Sequence, residues 1–169
     1  MEYILETERL MMRHFNISDA AFIVELLNSK GWLEYIGDRN VRTIEQAEAY
    51  LLNGPMKSYT ENGYGLSLVS LKEGGIPIGA CGLLKRDYLD TADLGFAFLP
   101  EYIDQGFGYE SASAVLAYAR QELNISPVVA FTVPHNDASI KLLEKLGFHF
   151  EKVFTMPGEE EELMLYSTM

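Results

Sequence analysis

The order of periodic segments in this chain predicts an α/β (α+β) fold, with one central mixed sheet flanked by helices. Three features predict it. Apolar residues recur at helical spacing in the first third of the chain. A run of extended segments joined at a Gly-Gly turn follows, and then come two strand-then-helix units and a closing pair of strands.

Residues 9–15 (Arg9, Leu10, Met11, Met12, Arg13, His14, Phe15) read as the first strand. Ser18 and Asp19 mark the start of a helix over residues 20–28, where Phe22, Ile23, Leu26 and Leu27 share one face. A loop with Gly31, Trp32, Tyr35 and Gly37 leads to Thr43, Ile44, Glu45 and Gln46, whose spacing is that of a capping box. Ala47, Tyr50 and Leu51 continue that helix, and Pro55 interrupts or restarts it. Residues 65–71 alternate partly with period two, Gly74 and Gly75 make a turn, and residues 76–84 form the partner strand. Residues 94–99 are a further strand stopped by Pro100, and residues 107–123 a helix rich in small side chains. A strand over 127–133 and a helix over 136–146, stopped by Gly147, come next. Residues 148–155 and 162–167 then close the sheet around Pro157 and Gly158.

A chain of 169 residues fits one domain spanning 1–169, and 48% hydrophobic with 12% aromatic residues argues against disorder. The formal net charge of -12 and the lack of a basic patch exclude a duplex nucleic acid as partner. Such a surface attracts cationic small molecules or basic peptides, and it also serves solubility alone. With the single cysteine Cys81 set in an apolar run, a buried packing thiol is expected rather than a disulfide or a nucleophile. No apolar stretch approaches the ~18 residues of a membrane span. Residues 1–6 carry acid early and no signal pattern. The expectation is a cytoplasmic monomer or homodimer with no membrane partner and no metal site.

The run Ile103, Asp104, Gln105, Gly106, Phe107, Gly108, Tyr109, Glu110 sits between a strand end and a helix start. Two glycines there let backbone N–H groups converge, and a helix N-terminus adds partial positive charge, so the run suits a phosphate or diphosphate. It equally suits a plain tight turn. A phosphate-binding loop ending in Gly-Lys-Ser/Thr is absent, and Ser111 stands where a dinucleotide fingerprint needs its third glycine. A second run starts at Asn136, a good N-cap, with Ser139 one turn along near the same end of the sheet; Asn136 as a mere cap and Ser139 as a solvated helix residue fit as well.

These runs together resemble the GNAT superfamily of N-acetyltransferases. The Gly106, Phe107, Gly108 loop resembles that family's acetyl-CoA diphosphate loop. Asn136 and Ser139, followed by Glu144, Lys145, Leu146, Gly147 and Phe148, resemble its later cofactor-side motif. The opening Glu6, Thr7, Glu8, Arg9, Leu10 with Arg13 is similar to the branch that holds the ribosomal-protein N-terminal acetyltransferases (Rim-type). So are Ile78, Gly79, Gly82 and Leu83, and Gly95, Phe96, Leu99, Pro100, Glu101 and Tyr102. The likeness covers nearly the whole chain in the right order. It implies a mostly antiparallel sheet splayed beside the strand ending at Phe98 and Leu99, whose backbone holds the pantetheine arm.

The resemblance also implies an activity and a site. The activity is acetyl transfer from acetyl-CoA to a primary amine, by direct attack in a ternary complex. Cofactor contacts are implied at Phe98, Leu99, Ile103, Gln105, Gly106, Phe107, Gly108, Tyr109, Asn136 and Ser139. The Rim-type resemblance implies Ser139 as the candidate donor to the leaving thiolate; Leu143 stands where many relatives carry a tyrosine acid. Asp93 and Glu110 become the candidate bases, beside the reading of both as ordinary surface carboxylates. Trp32, Tyr35 and Tyr88, with Glu34, Asp38, Asp87, Asp90 and Asp93 near them in sequence, suit an ammonium-bearing acceptor; those aromatics would serve equally as packing for their loops. A coenzyme A-binding sensor or scaffold without catalysis is the second reading, and a nucleotide-binding α/β protein a third that rests on the glycine loop alone.

Overall fold

The computed structural model describes residues 4–169; the part of the N-terminal reading that falls on residues 1–3 lies outside them. Among the described residues one sheet of eight strands runs in the order β1-β2-β3-β4-β5-β6-β8-β7. The strands are β1 (Leu5–Glu6), β2 (Leu10–His14), β3 (Leu66–Leu71), β4 (Pro77–Leu84), β5 (Asp93–Phe98), β6 (Val129–Thr132), β7 (His149–Phe154) and β8 (Leu163–Ser167). Only the β5–β6 pair is parallel, so the sheet is mixed and mostly antiparallel, as expected.

Five α-helices stand among the described residues: α1 (Ala20–Leu27), α2 (Ile44–Asn53), α3 (Pro55–Asn62), α4 (Phe107–Gln121) and α5 (Asp137–Lys145). One core joins Ala112, Val115, Leu116 and Ala119 of α4 and Leu143 of α5 to Leu94, Ala130 and Tyr166 of the sheet. A second joins Ile23, Leu26 and Leu27 of α1 and Ala47 and Leu51 of α2 to Leu68 and Ala80. The sheet thus has a face covered by α4 and α5 and a face covered by α1 and α2. Each helix buries only the stripe its apolar spacing defines.

Local signals worked where they were complete. Thr43 and Gln46 form the capping box at α2, and Pro55 restarts the chain as the first residue of α3. Elsewhere the structure differs. Asn16 rather than Ser18 opens the first helical segment, through a capping box with Asp19 around a 3-10 turn over Ile17–Asp19. Asp19 is drawn into a buried bidentate pair with Arg13 at 2.8 Å, which ties β2 to the start of α1. The loop expected around Trp32 is a wide π-helical turn over Trp32–Ile36, closed by the Gly37 N–H donating to the Trp32 carbonyl at 2.9 Å. The Trp32 ring lies in the α1–α2 core. No helix among the described residues is long and apolar enough to cross a membrane.

Candidate active site

The sheet opens at one place. β5 stays with β4 through six register pairs, from Gly79↔Phe98 to Leu84↔Asp93, and β6 stays with β8 through four. Between β5 and β6 a single pair remains, Asp93↔Val129. Strand twist then carries the two apart toward their C-terminal ends, which is the expected splay. The Leu99 N–H donates to the Ile78 carbonyl at 2.9 Å, which fixes the alternation along β5. By that alternation the N–H and C=O groups of Phe96 and Phe98 face the gap.

The glycine loop lies at the open end. Asp104 and Gly106 both adopt left-handed backbone, with φ of 64° and 84°. This folds the chain so that N–H groups converge on one side. Gly106 is the N-cap of α4 and supplies no side-chain cap, so the first-turn N–H groups of this helix are left for a ligand. α5 differs, because the Asn136 side chain accepts from the Ser139 N–H at 3.2 Å. An anion with several oxygens and a chain of amides fits this arrangement: the former at the uncapped helix, the latter along the free edge of β5.

The expected cofactor residues occupy both flanks of the gap. Phe107 is buried against Tyr102, with ring centroids 6.4 Å apart, while Ile103 and Tyr109 are exposed. The Lys145 ammonium sits 4.2 Å from the Tyr109 ring centre, linking the starts of α4 and the end of α5. Gln105 is exposed and donates its side-chain amide to the Glu101 carbonyl at 2.6 Å. Ser139 lies past the end of β6, half-buried, and no hydrogen bond occupies its hydroxyl among the described residues. Asn136 does cap its helix. Replacing it in Asn136→Ala is expected to lower unfolding stability by about 1 kcal/mol, measured by denaturant unfolding.

The two carboxylates proposed as bases have different surroundings. Asp93 is 2% exposed and accepts from Arg86 Nε at 3.0 Å. Burial pushes its carboxyl above the ordinary aspartate value, and the Arg86 guanidinium offsets only part of that. Glu110 is bound on both oxygens: Oε2 accepts from the Thr7 hydroxyl at 2.5 Å and the Arg9 N–H at 2.9 Å, and Oε1 from Arg9 Nε at 2.7 Å. Burial alone would raise its pKa, but these donors outweigh it and hold Glu110 below the usual value. Glu110 therefore anchors α4 to the β1–β2 turn, an arrangement ill-suited to taking a proton. Cys81 is fully buried, and burial pushes its thiol up to about 12 despite a Ser111 hydrogen bond, so it is no nucleophile.

On the opposite face Tyr35 contacts His135 at 5.6 Å, joining the α1–α2 connection to the β6–α5 connection at the open end. Tyr88 sits toward β7, its hydroxyl 3.1 Å from the Met156 sulfur. Trp32 does not present a face to a cation: it is 6% exposed within the α1–α2 core, and its indole N–H has no partner among the described residues. Arg9, Arg86 and His135 were not singled out as site residues from sequence, because each acquires its role only through a partner from another element. No group of three or more His, Cys, Asp or Glu is placed to hold a metal ion among the described residues.

A splayed parallel pair, an uncapped helix at its mouth and amide groups left free along one strand leave room for an extended ligand that carries an anionic end. The comparisons are more specific. Residues 9–149 match the acetyltransferase (GNAT) domain, and the chain belongs to that family. It is 31% identical to the uncharacterized N-acetyltransferase YoaA of Bacillus subtilis, over 89% of this chain and 85% of that one. A GNAT-family acetyltransferase from Bacillus anthracis superposes with a TM-score of 0.79 at 25% identity, covering 96% of both chains. A ribosomal-protein alanine acetyltransferase from Vibrio fischeri shares the fold, with a TM-score of 0.80 at 21% identity over 96% of this chain and 94% of that one.

Proposed function

We propose that this chain transfers the acetyl group of acetyl-CoA to a primary amine, either the α-amino group of a peptide or protein or a small cationic amine. The observation that carries this reading is the single β5–β6 pair, Asp93↔Val129, with an uncapped α4 on one flank of the resulting gap and the uncommitted Ser139 hydroxyl on the other. The amine attacks the thioester directly, since the buried Cys81 cannot carry the acetyl group. Backbone N–H groups of β5 stabilise the developing oxyanion. Ser139 donates to the departing thiolate, and Asp93 is the candidate base. An α-amino group with a pKa near ~8 is already on the order of a tenth neutral at pH 7, so base assistance is modest. The Rim-type opening, with Thr7 and Arg9 seated against α4, and the alanine acetyltransferase likeness favour the peptide α-amino group.

The acceptor side is the face carrying α1 and α2. A cleft there is lined by Tyr50, Leu66, Leu84 and Lys85, and Leu84 pairs with Asp93. Of the carboxylates expected to attract an ammonium group, Asp38 is paired with Arg42 at 2.6 Å and Asp93 with Arg86. Glu34, Asp87 and Asp90 remain exposed. Steering by those three is screened over ~8–10 Å at ordinary salt, so acceptor KM is expected to rise with ionic strength while KM for acetyl-CoA follows a separate course. Thiol release from acetyl-CoA across a panel of peptide, small cationic, neutral and anionic amines tests the reading. Acetylation of only neutral or anionic acceptors, with acceptor KM independent of salt, would overturn the acceptor assignment.

A further inference from the structure

We propose that Arg9 is a cofactor-positioning residue, which aims the glycine loop at the diphosphate of coenzyme A. The inference rests on the reading that this chain binds acetyl-CoA at the start of α4.

Arg9 stands on the turn between β1 and β2, where the Thr7 N–H donates to the Leu10 carbonyl at 2.9 Å. From there its guanidinium makes three contacts with one stretch of chain nearly a hundred residues away. Nε donates to Glu110 Oε1 at 2.7 Å and Nη1 to the Gln105 carbonyl at 3.0 Å. The plane lies over the Phe107 ring, with Cζ 4.3 Å from its centre. Nη2 lies beside Gly106, 3.3 Å from where a Cβ on that residue would stand. A planar fork of donors on an aromatic face suits arginine and not lysine.

Two consequences concern the loop. The first is directional. In a trans peptide C=O and N–H point in opposite directions, so holding the Gln105 carbonyl against Arg9 turns the Gly106 N–H the other way, into the concavity. The same contact polarises that peptide and strengthens its donor. The second is electrostatic. Glu110 lies in the first turn of α4, where its charge would repel a phosphate and offset the helix dipole. The permanently charged Arg9 neutralises it at contact distance. Arg9 therefore acts through Gln105, Gly106 and Glu110 rather than on the reacting atoms.

Coenzyme A binding by calorimetry and steady-state kinetics with two donors test this. Arg9→Met is expected to weaken coenzyme A binding about tenfold or more, with KM for acetyl-CoA rising by the same factor and kcat changing far less. Arg9→Lys restores only part of the affinity. Adding Glu110→Gln to Arg9→Met also restores part, because the unpaired carboxylate is removed. With S-acetylpantetheine, which has the thioester arm but no diphosphate, kcat/KM is expected to be the same for wild type and Arg9→Met. An equal loss with both donors would make Arg9 a structural residue and overturn the proposal. If Arg9→Met does not fold, the same two-donor comparison on Arg9→Lys decides. Wild type that fails to bind coenzyme A removes the cofactor reading and this role with it. Wild type that binds, with Arg9→Met binding equally, removes this role alone.

Discussion

Gly108→Val is expected to reduce coenzyme A affinity by about a hundredfold while leaving the chain folded. A Cβ built at Gly108 lies 3.0 Å from Leu142 Cδ2 on α5 and 3.8 Å from Phe98 Cε2 on β5. The glycine is the point where α4 comes close to α5 and to the free edge of β5. A methyl group is tolerated if Leu142 moves by a few tenths of an ångström, so Gly108→Ala should be mild. Valine adds two more carbons, and either α5 or the first turn of α4 must shift. Overpacking of this kind costs about 1–3 kcal/mol, which a chain of this size survives. Such a shift takes first-turn N–H groups off the phosphate oxygens, and losing two hydrogen bonds to a charged group at about 1.5 kcal/mol each costs on the order of a hundredfold in affinity. Calorimetry with coenzyme A, beside thermal unfolding, measures both effects. Undiminished affinity in a folded Gly108→Val protein would show that the space between Gly108, Leu142 and Phe98 is not part of the cofactor path.

Ser139→Ala should lower kcat by roughly 10²-fold and leave coenzyme A affinity and stability almost unchanged. These effects separate because of how the serine is bonded. Its N–H belongs to the helix cap, held by Asn136, and alanine keeps it. Its hydroxyl is uncommitted among the described residues, so removal orphans no partner and leaves no unsatisfied group. On the proposed reading, what is lost is the proton donor at the leaving thiolate. Leu143 rather than tyrosine occupies the neighbouring α5 position, so no local phenol substitutes. Tyr109 lies under Lys145 and Tyr166 packs edge-on to Phe150 at 5.8 Å, and Tyr109→Phe and Tyr166→Phe should each retain turnover. Wild-type turnover in Ser139→Ala with a good acceptor would rule out the donor role.

The two candidate bases illustrate why site residues are harder to read than elements. Asp93 and Glu110 look alike in sequence: single acidic residues beside a strand start and a helix start. The fold separates them. Glu110 meets Thr7 and Arg9, about a hundred positions earlier, because the β1–β2 turn lies against α4. Asp93 stays at the apex of the splay, held by one arginine. Trp32 suits either a surface for a cation or packing for its loop when read from sequence, and the fold places it in the core.

What the sequence determined by itself is local. Gly106 before α4, the Thr43 and Gln46 box, the turn at Gly74 and Gly75 and the cap at Asn136 all act within a few residues. Their physics is steric allowance for left-handed backbone and short-range capping, so spacing alone exposes them. The order of the elements these signals bound was enough for the fold class, while the family rested on the resemblance carried by the Gly106, Phe107, Gly108 loop, the Asn136 and Ser139 run and the Thr7 and Arg9 opening. Tertiary structure alone decided which polar groups remain free and which are consumed. Arg9 is spent on Gln105 and Glu110 and Arg86 on Asp93, while Ser139 keeps its hydroxyl and Phe96 and Phe98 turn their backbone to the gap. Most of these outcomes depend on sheet order and on where β5 parts from β6. Both are set by the summed packing of two cores on opposite faces, which no stretch of chain encodes separately.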